Sequence, residues 1–260
     1  TNKSMLLIDK FTFNNKEFIM TDNHINPVLG GEKTTSQLTL NDYLLFNTSQ
    51  LSAIPENNEY LTFSQGFVIG SFIGDGSFGP EIDGTIYETI ISQNKNKVKI
   101  CAQRFKKVLE QMGLDNNVRI EAPHNNVYNI RISCKELVAF IIKWTNWFRG
   151  TYAFNKKLNL DCLLQSSDFR KGILAGWYNT DGGNSNRCYT TSSELAEQME
   201  ILITSLGMQS TINISDRTDE KVVIRDNVYN RNYPLYCVRW YEIANHRQNK
   251  DKENSWIKYN

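Results

Sequence analysis

The sequence predicts an α+β protein made of two matched halves, on three observations. Two apolar segments carry one signature: Gly66, Gly70 and Asp75-Gly76 in GFVIGSFIGDGSF, then Gly172, Gly176 and Asp181-Gly182 in GILAGWYNTDGGN. In each, the acid follows the first glycine by nine residues and the second by five. After each segment comes the same order of strand-like and helix-like stretches, whose strands alternate apolar with polar residues as half-buried sheet does. Repetition of this kind marks one supersecondary unit used twice.

The segments themselves read as helices. Between glycines and acid they are almost purely apolar, with Phe67, Val68, Ile69, Phe72 and Ile73 in one and Ile173, Leu174, Ala175, Trp177 and Tyr178 in the other. Glycines four apart share a helix face and let another backbone come close, so the two helices are expected to pack on each other. An acid at a helix C-terminus runs against the helix dipole, which favours cations there. If two such ends converge, the paired carboxylates call for a divalent cation, and oxygen ligands without a His or Cys cage suit Mg²⁺. Taken singly, either segment is more economically read as a core helix with a C′ glycine and an ordinary turn aspartate. The matched pair favours a site.

Beyond Asp75 the pattern gives a strand around Thr85 to Gln93, a helix from about Val98 to Met112 closed by Gly113, strands at Asn117 to Ala122 and Val127 to Ser133 around a turn at Pro123 to Asn126, and a helix over Lys135 to Phe148. Beyond Asp181 come a strand at Arg187 to Thr191, a helix from Glu194 to Leu206 capped by Ser192 or Ser193 and closed by Gly207, and strands near Ser210 to Ser215 and Leu235 to Tyr241. LEQMGLDNNVRI and ILITSLGMQSTINI run parallel. The unit reads as α-β-β-α-β-β-α.

VIGSFIGDG (68–76) and LAGWYNTDG (174–182) resemble the two copies of the LAGLIDADG motif of single-chain homing endonucleases. The second copy is close; the first departs at Ser71, Ile73 and Gly74. The likeness runs from roughly residue 60 to residue 245. It implies two pseudo-symmetric αββαββα halves, one in 58–168 and one in 169–260 together with a C-terminal extension, whose four-stranded antiparallel saddles sit astride DNA with the motif helices at their interface. It further implies a short element before the second motif, written K-x-I-P in the family, that brings a basic residue to the reaction centre. In FNKKLNLDCLLQSSDF, Lys156 takes the lysine position, Leu158 the apolar one, and Asn159 replaces proline; Lys157 takes over if the register slips by one. The same lysine is also readable as a solvated loop residue.

Composition bounds the reading. A chain of 260 residues, 40% hydrophobic, can bury one large core or two to three small ones. No apolar run is long enough to span a membrane and no signal peptide opens the chain, so a soluble intracellular protein is expected. Cys101, Cys134, Cys162, Cys188 and Cys237 stand singly, which indicates neither a disulfide framework nor zinc, and the three histidines are dispersed. A net charge of +1 is low for a nucleic-acid binder. Yet Lys95, Lys97, Lys99, Arg104, Lys106 and Lys107 fall within 13 residues holding no acid, either a solvated helix face or a phosphate contact led by Lys97 and Lys99. Base readout would come from the polar faces of the strands: Arg119 and Glu121, then Asn129, Arg131 and Ser133, and in the second half Thr211, Asn213, Ser215 and Arg239. The solvent face of a plain antiparallel sheet has the same pattern.

Residues 1–57 stand outside both halves and read as a small all-β segment. KEFIMTDNHINPV followed by LTLNDYLLF resembles the histidine-containing block of a protein-splicing (Hint) domain, with Thr21 and His24 in a T-x-x-H pattern and Leu40-Asn41-Asp42-Tyr43 like the strand that follows. In that family the Thr and His polarise the amide at the upstream splice junction, which would place the endonuclease inside an intein. No Cys or Ser block opens the chain at Thr1-Asn2-Lys3 and no His-Asn pair precedes Tyr259-Asn260, so only part of a splicing domain is expected. His24 is also readable as a plain hairpin histidine.

These strands of inference converge on a monomeric, site-specific double-strand DNA endonuclease with a long, non-palindromic target. Asp75 and Asp181 would each hold Mg²⁺ at a scissile phosphate, with carbonyls of Gly74 and Thr180 completing coordination, and Lys156 would act on the developing charge. The rivals are an RNA-binding maturase, a catalytically inert DNA-binding regulator, and a splicing protein whose nuclease is incidental.

Overall fold

Both glycine-bearing segments are helices, and they lie against each other. The computed structural model describes residues 8–13, 16–28, 31–39, 42–47, 61–114, 117–123, 127–148, 151–183, 185–218, 220–224, 227–242 and 254–258. Thr1 to Lys3, Leu40-Asn41, the turn residues 124–126 and Tyr259-Asn260 lie outside them. The helices are α1 (Phe63–Asp75), α2 (Val98–Gln111), α3 (Lys135–Thr145), α4 (Ser167–Asp181) and α5 (Ser193–Ser205). Among the described residues none is long and apolar enough to cross a membrane.

The amino-terminal part is β structure. Strands β1 (Ile8–Phe13) and β2 (Lys16–Thr21) form an antiparallel hairpin, followed by β3 (Ile25–Val28), β4 (Gly31–Thr34) and β5 (Tyr43–Asn47). In the first half come β6 (Gly76–Phe78), the short hairpin β7 (Glu81–Ile82) and β8 (Thr85–Ile86), β9 (Glu88–Asn94), β10 (Val118–Ile120) and β11 (Val127–Ser133). The second half holds β12 (Gly182–Gly183), β13 (Arg187–Thr190), β14 (Met208–Ser215), the hairpin β15 (Lys221–Ile224) and β16 (Asn227–Asn230), and β17 (Leu235–Glu242). Strand β18 (Asn254–Lys258) pairs with β5, so the last sheet runs β18-β5-β3-β4.

Each half has one four-stranded antiparallel sheet, ordered β10-β11-β9-β6 in the first and β12-β13-β17-β14 in the second. Ile91, Ile130 and Ile132 turn inward onto Phe105 and Leu109 of α2, while Cys188 and Val238 join Leu195, Met199 and Leu202 of α5 in the same buried cluster. The alternation in the sequence is therefore the alternation of inner and outer sheet faces. Gly113 (φ +68°) and Gly207 (φ +80°) close α2 and α5 in the left-handed conformation expected of C′ glycines.

Three features depart from the sequence reading. Strands β6 and β12, which leave the acid-bearing helices directly, fill a place in the expected order to which the sequence reading gave no residues, being too short to show a period, and the hairpin β15–β16 was not expected. Helix α3 stops at Thr145 rather than Phe148, because Asn146 takes a left-handed conformation (φ +46°). Gly76 and Gly182 are not C′ glycines in the left-handed sense: both are extended, with φ −87° and −69°. What they need is absence of a side chain, since a Cβ would stand 2.4 Å from Phe72 O in one and 2.0 Å from Tyr178 O in the other as the chain swings from helix into sheet.

Candidate active site

The helix pair sets the site. Thr62 and Ser166 cap α1 and α4 by accepting hydrogen bonds from the amides of Gln65 and Phe169, fixing where each helix begins. The glycines then bring the backbones into contact: a Cβ on Gly66 would meet Phe169 O at 2.0 Å and one on Gly70 would meet Ile173 O at 1.9 Å. Reciprocally, a Cβ on Gly172 would meet Phe63 O at 2.1 Å and one on Gly176 would meet Phe67 O at 2.2 Å. A Cβ on Gly74 would lie 2.0 Å from Thr180 Oγ1 and 3.1 Å from Asp181 Oδ2. The contacts thus continue down both helices to the last turn, where the acids are.

Asp75 and Asp181 are both partly buried there. Gln93 Nε2 of β9 donates to Asp75 Oδ2 at 2.9 Å. Burial raises the Asp75 carboxyl above the usual carboxylate range, against the pull of Lys156 and Lys97. Burial and then the charge of Asp75 push Asp181 up to about 7. Two carboxylates are thus held where ionising both is costly.

Lys156 answers the register question. Its Nζ donates to Gly76 O at 2.8 Å, Gly74 O at 3.0 Å and Phe72 O at 3.4 Å, closing the carbonyl end of α1 as a cation should. Burial lowers its pKa, while Asp181 and Asp75 act to raise it. Lys157 instead points outward to Glu194, 3.2 Å away. The loop is held by a parallel ring stack of Tyr152, Phe154 and Tyr233, with centroids 5.8 and 4.1 Å apart.

Lys97 has a counterpart place that the sequence did not reveal. Its Nζ reaches Asn179 O in the last turn of α4 at 3.4 Å, and it is among the charges felt by both acids. Each acid-bearing helix end therefore has its own lysine, one delivered by the loop before α4 and one by the turn before α2. No local signal separates Lys97 from Lys95 or Lys99.

The donor set fits a hard divalent cation only in part as expected. Two raised carboxylates are oxygen ligands whose repulsion a cation would relieve, and no third His, Cys, Asp or Glu joins them among the described residues. The Gly74 carbonyl, expected as a ligand, is already bonded to the Lys156 ammonium. Thr180 contributes its hydroxyl to the helix, donating to Trp177 O at 3.0 Å and Gly176 O at 3.2 Å.

The polar sheet faces carry the remaining candidates. Arg119 and Arg131 are cross-strand partners, and both pair with Glu88, Arg119 at 2.8 Å; Arg131 also pairs with Glu121 at 2.5 Å. Asn129 Oδ1 accepts from Ser92 Oγ at 3.0 Å on the same face. In the second sheet Arg239 stands beside Arg187 on β13 and Thr211 on β14, and Asn213 is exposed further along β14. Neither Arg187 nor Arg239 has an acidic partner among the described residues, and the Nε of each is unpartnered. Arg187, which the sequence reading passed over, thus belongs with Arg239. Lys99 is not brought to these surfaces, because α2 packs on the inner side of its sheet.

Thr21 and His24 form a turn, with the His24 amide donating to Thr21 O at 3.0 Å. The His24 carbonyl accepts from Thr35 N at 2.9 Å and from Asn26 Nδ2 at 3.1 Å, while its side chain is exposed. All five cysteines are free.

The fold and site define a protein of two sheet-bearing halves joined by a glycine-faced helix pair with a carboxylate at each helix end. No family model and no curated protein matches the chain. Among solved structures, mesophilic variants of the homing endonuclease I-DmoI share 15% identity with a TM-score of 0.47, over 69% of this chain and 88% of theirs. I-DmoI in complex with DNA and Ca gives 16% and 0.48, over 70% and 85%. The homing endonuclease I-WcaI bound to its DNA recognition sequence gives 13% and 0.37, over 74% and 87%. At these scores the functional reading rests on the site itself.

Proposed function

We propose that this chain is a site-specific double-strand DNA endonuclease that hydrolyses phosphodiester bonds with a divalent metal, Mg²⁺ by the hardness of its ligands. One observation carries the reading: carboxylates at matched positions of two interlocked helices, Asp181 held up to about 7 by burial and by Asp75, an arrangement suited to binding a cation rather than to stability. The likeness of both segments to the LAGLIDADG motif points the same way.

Asp75 and Asp181 would hold the metal, which when bound supplies charge that activates water and stabilises the leaving oxygen. Lys156 has its donors engaged by two α1 carbonyls and that of Gly76 just beyond, so it works by fixing that helix end and offsetting the carboxylates' charge. Lys97, exposed and held by one long contact, is the cation free to move onto a phosphate. Arg119, Arg131, Asn129, Asn213 and Arg239, with Arg187, would meet DNA from the two sheet faces. Because one chain supplies two unlike halves, the target is long and lacks palindromic symmetry, and a monomer suffices. Such a target also places the protein inside the cell.

We read residues 1–57 as Hint-like and the whole as intein-derived. The backbone-fixed Thr21–His24 turn and the pairing of β18 with β5, which returns the chain to this sheet, support that reading.

The test is to incubate the protein with genomic DNA fragments and Mg²⁺ and sequence the double-strand ends. Breaks at one defined site are expected, lost in Asp75→Asn and in Asp181→Asn while binding stays within about tenfold, since the DNA contacts lie elsewhere. Undiminished cleavage by either variant overturns the assignment. Binding without cleavage at any divalent ion would favour a regulator or maturase.

A further inference from the structure

The outer face of the first sheet holds an acid at its centre, where a surface meant only to attract phosphates would hold none. Glu88, the first residue of β9, stands opposite Ser133 of β11. Its carboxylate accepts from Arg119 Nη2 at 2.8 Å, from Arg131 Nη1, and from Ser133 Oγ at 3.4 Å. The Glu88 side chain is 13% exposed, against 61% for Arg119 and 23% for Arg131, so the acid lies beneath the arginines it binds. Gly79 leaves it that room, since a Cβ there would lie 3.0 Å from Glu88 Oε2.

Arg119 and Arg131 are direct cross-strand partners, a placement that repels unless an opposite charge serves both. Glu88 is that charge. Arg131 is paired at both ends, with Glu88 through Nη1 and with Glu121 through Nε. Arg119 gives one terminal nitrogen to Glu88 and keeps most of its side chain in solvent, with guanidinium donors to spare. Of the two, Arg119 is the one able to reach a base edge with its fork already aimed. The second sheet is built differently. Gly76 opposite Ile91 and Gly182 opposite Cys188 set the halves in register, which makes Arg239 the counterpart of Arg131 and Thr211 that of Arg119. Arg239 stands opposite Arg187, and among the described residues neither has an acidic partner.

We infer that Glu88 is a specificity-determining residue, which holds Arg119 as a fixed donor to the major-groove edge of one guanine and cancels the charge that would otherwise bind any phosphate. The inference rests on the reading of the outer sheet faces as the DNA surface. Glu88 and Glu121 offset the two arginines, so the cluster has no net attraction for the phosphate backbone, and what it gains on a duplex comes from base edges. Guanine presents O6 and N7 together, the pair of acceptors an arginine fork matches. An arginine already held by a carboxylate loses less freedom on meeting them, which sharpens the preference. Any other base at that place leaves the Arg119–Glu88 pair stripped of water with nothing in return, and the site is rejected. Arg187 and Arg239 on the second face then supply the phosphate contacts that are blind to sequence.

The experiment selects bound duplexes from a randomised library with the full-length protein in Ca²⁺, whose loose coordination suits binding better than hydrolysis. Affinities are then measured for the selected duplex, for its single-position variants and for a shuffled duplex. Wild type is expected to enrich guanine at one position, and exchanging that G·C pair for A·T to weaken binding about tenfold or more. Arg119→Lys, which keeps the charge but loses the fork, and Glu88→Gln, which lets the fork go, should each cut that factor to about threefold or less at this position alone. Glu88→Gln should also bind the shuffled duplex more tightly and with a steeper salt dependence, a gain that a merely structural role would not produce. Arg239→Gln should weaken selected and shuffled duplexes alike. A guanine preference left intact in both variants, or a Glu88→Gln loss equal on selected and shuffled duplexes, overturns the inference and leaves the nuclease reading standing. Failure of the wild type to enrich any sequence overturns both. Melting temperatures show whether the variants fold, and Arg119→Lys, at an exposed position, decides the matter if Glu88→Gln does not.

Discussion

The two halves share a backbone plan but differ in how their charges are arranged. In the first, the outer sheet face carries Arg119 and Arg131 already bound to Glu88 and Glu121, and the carbonyl end of α1 is closed by three bonds from Lys156. In the second, Arg187 and Arg239 face each other with no acidic partner among the described residues, and the end of α4 has one long contact from Lys97. One sheet face has its arginines paired with carboxylates and the other does not. Duplication of a fold thus need not duplicate its electrostatics: a net charge of +1 for the chain conceals two sheet faces of different charge balance.

The largest effect separates what the halves share. Gly70→Ala and Gly176→Ala would each gain up to about 1 kcal/mol from helix propensity if their surroundings were open. Here the new Cβ meets a carbonyl oxygen at 1.9 or 2.2 Å, and because the obstruction is backbone the helices must part, at a cost of about 3 kcal/mol or more. Both variants are expected to lose stability in denaturant melts by similar amounts. A gain in either would mean that the helices do not interlock as described.

A second effect sharpens the difference between the acids. Asp181 titrates at about 7 in the fold against an ordinary 3.8, so the folded state holds its proton more tightly than the unfolded chain. The resulting stabilisation is complete below about pH 4 and is lost as pH rises through about 7, on the order of 4 kcal/mol over the whole window. Asp75 shifts in the same direction and adds to the loss. Metal-free protein should therefore melt higher at pH 5 than at pH 8, and Asp181→Asn should flatten that dependence and melt above wild type at pH 8. A wild type whose melting temperature rises over the same interval would refute the assignment of strain to this acid.

The smallest effect concerns the sheet faces. Replacing Arg187 and Arg239 together by Gln should weaken DNA binding by about 1 to 3 kcal/mol and flatten its salt dependence. Glu88→Gln, by contrast, releases two arginines and should leave affinity unchanged or higher. Opposite signs in a filter-binding titration would uphold the contrast between the halves, and equal losses would erase it.

Much of this was legible in the residues. The spacing of Gly66, Gly70 and Asp75 against Gly172, Gly176 and Asp181 was enough to pair two helices and put an acid at each end, because a helix converts spacing in sequence into position on a face. Alternation at Tyr128 to Ser133 gave the inward and outward residues of β11, because a strand does the same with a period of two. Helix α5 was bounded by its Ser192 cap and Gly207, both local devices. Beyond that reach lay everything decided by contacts between distant segments. Nothing near Lys156 distinguishes it from Lys157; the choice follows from which one lands over the carbonyls of α1, some eighty residues earlier in the chain. Glu88 pairs with Arg119 and Arg131 only because β9 and β10 both lie against β11, and the short strands β6 and β12 exist only because a neighbouring strand is there to receive them. The sequence by itself determined the paired acids and the periodic faces, since those depend on local backbone geometry. Which arginines are paired with acids and which lysine closes which helix end were decided by tertiary structure, since charge balance is a property of the assembled neighbours rather than of the chain.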